Sequence, residues 1–157
     1  MTSAPIAQQR LLIDLQDLDS HLARLRHERK HLPVLTRIEA VIERLKANKR
    51  AAIQAEAALD EAKKQATRSE DEVAQVVRRA EVLRERLHSG TSAARDLSAI
   101  QGEIDQLGQR QSALEEAQIV AMEALDSARQ EAERLSHEEA EIRAAGRELT
   151  AKRDAEF

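Results

Sequence analysis

Residues 73–107 read VAQVVRRAEVLRERLHSGTSAARDLSAIQGEIDQL, and this stretch decides the fold. Up to Leu87 its apolar positions fall at Val73, Val76, Ala80, Leu83 and Leu87, alternately three and four residues apart. After Ser89-Gly90-Thr91-Ser92 the same spacing resumes at Leu97, Ile100, Ile104 and Leu107. Such a repeat keeps one helix stripe facing a partner and implies a left-handed supercoil. A glycine flanked by small polar residues between two such runs predicts a turn.

Working outward, both stripes extend far beyond the turn. Towards the N-terminus one series holds Ile38, Leu45, Ala52, Leu59, Ala66, Val73, Ala80 and Leu87, interleaved with Val41, Asn48, Ala55, Ala62, Ser69, Val76 and Leu83. Towards the C-terminus the other holds Leu97, Ile104, Gln111, Gln118, Leu125 and Ala132, interleaved with Ile100, Leu107, Leu114, Ala121, Ala128, Leu135, Ile142 and Leu149. Folding the arms about Gly90 aligns residues whose numbers sum to about 184, a value set by the heptad register. Leu87 then faces Leu97, Ala80 faces Ile104, Val76 faces Leu107, Leu59 faces Leu125 and Val41 faces Ile142. Ala55 with Ala128 and Ala62 with Ala121 form small layers that permit close approach. Asn48 and Gln111 are polar intrusions, which fix register at some cost in stability.

The expected fold is therefore all-α: a long antiparallel coiled-coil hairpin with an additional or kinked N-terminal helix. The expected organisation is one hairpin unit over 1–157, with an N-terminal helix at 6–32, a first long helix at 33–88, a tip at 89–92 and a second long helix at 93–155. The N-terminal helix follows Pro5 and carries its own stripe at Leu11, Leu15, Leu18, Leu22 and Leu25. Pro33 removes an amide donor and clashes with the preceding turn, which predicts a kink or a break. By the pairing sum, residues 6–29 need partners near 155–178, while the sequence stops at Phe157. The stripe then folds onto the hairpin base, self-associates, or meets a continuation of the natural protein, the last being the favoured expectation.

Composition and charge agree. The 157 residues are 34% charged and only 1% aromatic, too little bulky apolar material for a thick globular core. Residues 10–50 carry a net +4 and residues 101–157 a net −7. An antiparallel arrangement lays the basic start beside the acidic end, as a monomeric hairpin or an antiparallel homodimer would. Cysteine is absent, no run approaches the ~20 apolar residues of a membrane span, and the N-terminus lacks the pattern of a secretory signal. A cytoplasmic location with no membrane contact is expected.

The residues Leu11-Leu12-Ile13-Asp14-Leu15-Gln16-Asp17-Leu18-Asp19, His31-Leu32-Pro33 and Ser89-Gly90 carry a resemblance, together with Asp96-Leu97, Ile100-Gln101, Glu103-Ile104, Arg110-Gln111, Leu114-Glu115 and Met122-Glu123. In these features the chain resembles the coiled-coil hairpin of the bacterial C4-type zinc-ribbon family, particularly its actinobacterial branch. The resemblance implies an adaptor that binds proteins or nucleic acid, tied in some branches to secretion, flagella or transcription. It also implies a structural zinc held by two Cys-x-x-Cys pairs in a ribbon after the second arm. This chain has none of those cysteines, so it transfers no metal ligand to any residue here.

Few catalytic patterns compete with an interaction role. His27-Glu28-Arg29-Lys30-His31 matches H-E-x-x-H, which on a helix sets two imidazoles on one face. A catalytic zinc also needs a third ligand and a sheltered open position, which a two-helix rod does not supply. The expectation is no catalytic residue, no metal site and no cofactor within these residues. The tip is the better candidate: residues 78–96 carry five arginines against three acids in an acidic chain. Arg84, Arg86, His88, Ser89, Gly90, Thr91, Ser92 and Arg95 are the expected partner-binding residues. A protein is the expected partner and nucleic acid the alternative, although net −4 and missing aromatics weaken a stacking surface for single strands.

Overall fold

The computed structural model describes residues 5–90 and 93–156. Three α-helices follow one another: α1 (Ile6–Lys30), α2 (Pro33–His88) and α3 (Ala94–Glu156). The described residues contain no strand. The chain divides into two compact units, residues 1–48 with 138–157 and residues 49–137.

In the 49–137 unit, the end of α2 and the start of α3 run antiparallel on either side of the turn. Leu83, Ile100 and Ile104 form a buried cluster, with Leu87 and Leu107 packed against it. Leu83 is only 1% exposed, so its burial contributes roughly 1.5–3 kcal/mol. Val76, Ala80, Ala55, Leu59, Ala121 and Leu135 continue the same buried stripe. Every position of the two heptad series is buried or half-buried. Side-by-side packing is what a 3-4 stripe on each helix demands, and the short turn joining the helices makes it antiparallel. Buried Ser69 interrupts the apolar run within this unit.

In the other unit, Ile142 of α3 is 1% exposed and Val34 of α2 is buried. Gly146 lacks a side chain where Val41 approaches: a Cβ placed there would lie 3.4 Å from Val41 Cγ1. Val41 thus meets Gly146 as well as lining the same groove as Ile142. Asn48 is buried, as a polar residue on the stripe must be when the helices close around it.

The chain breaks at Pro33 rather than kinking. The Pro5 carbonyl accepts from the Gln8 and Gln9 amides at 3.0 and 3.1 Å, starting α1. At its other end the His31 amide donates to the His27 and Glu28 carbonyls at 3.1 and 3.2 Å. α1 therefore ends at Lys30, two residues before the boundary expected from sequence, because a proline disfavours helical backbone at the residue before it. Pro33 is the first residue of α2, where its missing N–H costs nothing. α3 starts at Ala94, one residue later than expected, with the Ala93 carbonyl accepting from the Leu97 amide at 3.0 Å. It runs to Glu156, one residue past its expected end.

The break does not bring α1 down as a third bundle helix. No residue of α1 is buried, and Leu11, Leu15, Leu18, Leu22 and Leu25 are 46–61% exposed. The hairpin base leaves this stripe uncovered.

Candidate interaction site at the turn

Local chemistry builds the turn between α2 and α3. α2 ends at His88, and Gly90 adopts φ +68°, the left-handed conformation that closes many helices. Only glycine enters it without a Cβ penalty. Ser89 tightens the exit: its amide donates to the Glu85 carbonyl and its hydroxyl to the Arg86 carbonyl, both at 2.9 Å. These bonds occupy carbonyls that the helix end would otherwise leave open. Asp96 in the first turn of α3 sits where the helix dipole favours an anion.

Arg84, Arg86, His88, Ser89, Gly90 and Arg95 are exposed around this turn. Thr91 and Ser92, also expected at the site, lie outside the described residues. Among the described residues the nearest ion pair uses Arg79, whose Nε and Nη2 both lie 3.2 Å from Glu103 Oε1. Arg84, Arg86 and Arg95 take part in none of the described ion pairs. The end of α2 and the first turn of α3 thus present three exposed guanidinium groups. Each offers planar donors suited to carboxylate or phosphate. The Arg79–Glu103 pair was not foreseen, because lateral surface pairs depend on the stagger of the two helices more finely than a heptad count resolves.

A second basic feature lies within the other unit. Arg26, Arg29 and Lys30 of α1, Leu35 of α2 and Arg153 and Asp154 of α3 line one concavity. Arg153 Nη2 is 3.2 Å from Asp154 Oδ1. The sequence signal for three of the cations was their shared place in a basic segment; Arg153 joins them only through the fold.

The H-E-x-x-H residues form no ligand set in this geometry. The His27 and His31 rings stack with centroids 4.1 Å apart, and His31 Nδ1 lies 2.8 Å from the His27 carbonyl oxygen. Among the described residues no group of three or more His, Cys, Asp or Glu side chains is arranged to hold a metal ion. The four-thiolate zinc set implied by the resemblance does not fit this chain, which contains no cysteine. One carboxyl is clearly perturbed: the hydrogen bond from Arg134 holds Glu131 below the usual glutamate range, with the nearby positive charge adding to it. That pair is an i,i+3 contact on one exposed helix face. No helix among the described residues is long and apolar enough to cross a membrane.

Residues 15–157 match the model of the CT398-like coiled coil hairpin domain. The chain belongs to this family. It is 36% identical over 124 residues to an uncharacterized protein of Mycobacterium tuberculosis strain CDC 1551, and equally to one of strain H37Rv. Each match covers 76% of this chain and 49% of the relative, so the chain spans about half the length of the curated relatives it matches. A solved structure from Mycobacterium smegmatis aligns with a TM-score of 0.80 at 27% identity, covering 98% of this chain and 64% of that one. Family membership and this structural likeness agree with the hairpin derived from the heptad stripes.

Proposed function

We propose that the chain is a non-enzymatic interaction module of adaptor type, which docks a protein partner at its turn. The observation that carries this reading is the set Arg84, Arg86 and Arg95, exposed around a capped turn and outside the described ion pairs. Carrying these groups on helix backbone reduces the entropy cost of presenting them. A partner surface rich in aspartate and glutamate complements them, and opposite charges across an interface raise the association rate. The reading places the module in the cytoplasm. It also pairs the hairpin with a separate zinc ribbon of the kind the resemblance implies, whose thiolates these residues do not supply.

The test is capture from cell lysate by the immobilised chain, compared with the triple variant Arg84→Glu/Arg86→Glu/Arg95→Glu after circular dichroism shows equal helicity. Loss of the captured proteins by the variant is the expected result. Retention of every partner would contradict docking at the turn.

A second reading, contact with nucleic acid, is favoured by the concavity that gathers Arg26, Arg29, Lys30 and Arg153. Phosphate binding there would weaken steeply with salt. Filter binding of duplex DNA and single-stranded RNA at low and moderate salt distinguishes the readings: retention at low salt, lost on Arg26→Ala/Lys30→Ala substitution, supports it, and no retention at low salt removes it.

A further inference from the structure

Nothing in α2 or α3 covers the leucine stripe of α1. A helix of 25 residues with no buried side chain lacks the tertiary packing from which most helices in proteins draw their stability. Leu11, Leu15, Leu18, Leu22 and Leu25 lie on one face at alternating spacings of four and three residues. The stripe is nearly symmetric about Leu18. Reversed on itself, it sets Leu11 against Leu25, Leu15 against Leu22 and Leu18 against its own copy.

Charge selects the direction. Residues 6–17 carry Arg10, Asp14 and Asp17, a net −1, whereas residues 19–30 carry Arg24, Arg26, Arg29 and Lys30 against Asp19 and Glu28, a net +2. A parallel copy would place like halves together. An antiparallel copy places unlike halves together, as charge patterning requires of a favoured pairing. The arrangement is isologous and closes on itself, so it stops at two chains.

We propose that α1 is a self-association site, pairing antiparallel with α1 of a second copy through Leu11, Leu15, Leu18, Leu22 and Leu25. The occupant is another molecule of this chain, and the site is separate from the turn.

The absence of cysteine makes the test clean, since single cysteines report unambiguously. Sedimentation equilibrium of the full chain is expected to give a dimer, and Leu15→Glu/Leu22→Glu is expected to give a monomer of unchanged hairpin helicity. With a short bismaleimide, Leu18→Cys is expected to cross-link to itself. Leu11→Cys and Leu25→Cys are expected to cross-link only when the two variants are mixed. A wild-type chain that is monomeric at tens of micromolar would overturn the proposal, as would a dimer that survives Leu15→Glu/Leu22→Glu. Self-cross-linking of all three single variants would mean a parallel pair, and would overturn the antiparallel assignment. Turn charge reversal leaves the dimer intact, so failure here and failure of the docking reading are separately visible.

Discussion

Arg79 of α2 reaches across to Glu103 of α3, with its Nε and Nη2 each 3.2 Å from Oε1. Both side chains remain nearly half exposed, so the pair marks the stagger of the helices more than it stabilises them. A double-mutant cycle with Arg79→Ala and Glu103→Ala is expected to give a coupling of about 0.2–1 kcal/mol, falling as salt is added. Coupling that is insensitive to salt would mean that the two groups are shielded from solvent.

Stability depends on the stripe itself. Leu83→Ala removes the most enclosed side chain of the cluster with Ile100 and Ile104, and should cost about 2–5 kcal/mol in urea unfolding. Val82→Ala, on the neighbouring exposed position, should change stability by only about 0.5 kcal/mol. Equal losses at the two positions would contradict the assigned face.

Glycine substitutions should divide by backbone conformation. Gly90 is at φ +68° with open space around it, so Gly90→Ala is expected to cost about 1 kcal/mol from conformation alone. Gly102 and Gly108 are interior to α3 with nothing near an added Cβ. Gly102→Ala and Gly108→Ala are each expected to raise stability by about 0.8–1 kcal/mol through helix propensity. Thermal unfolding of the three variants checks the sign in each case.

Much of this was legible in the sequence. The heptad period alone located Leu83, Ile100, Ile104, Leu135 and Ile142 on the buried stripe, because a 3-4 repeat has only one way to keep a continuous apolar face. The fate of α1 was not legible. Pro33 signalled a discontinuity, but whether the preceding helix then packs depends on the backbone direction taken through His31 and Leu32. The turn arginines could be placed by counting, but their separation from the described ion pairs could not, since Arg79 and not Arg84 is the residue that meets an acid across the hairpin. Arg153 joins Arg26, Arg29 and Lys30 through tertiary structure, for which no local pattern exists.

Acid should act on Glu131 late. Its carboxyl titrates below the usual glutamate range because it accepts from Arg134 at 2.7 Å and 3.0 Å. A carboxylate with a depressed folded-state pKa contributes stability that is present above the unfolded-state pKa and lost as pH falls through the folded one. The contribution is small because the pair is exposed. NMR titration is expected to show Glu131 protonating after an ordinary surface glutamate, and Arg134→Gln is expected to bring it back into the normal range. An unchanged titration in Arg134→Gln would assign the shift to another cause.

The central claim is that a single chain folds back on itself at Gly90. Spin labels on Arg79→Cys/Glu103→Cys, measured by pulsed electron resonance in an excess of unlabelled chain, test it most directly. Paired helix axes lie about 8–10 Å apart. The account predicts a short label separation that persists at every dilution, since both labels sit on one molecule whether or not α1 pairs with a second copy. Loss of the short distance on dilution would show that the two arms belong to different chains, and would contradict the hairpin.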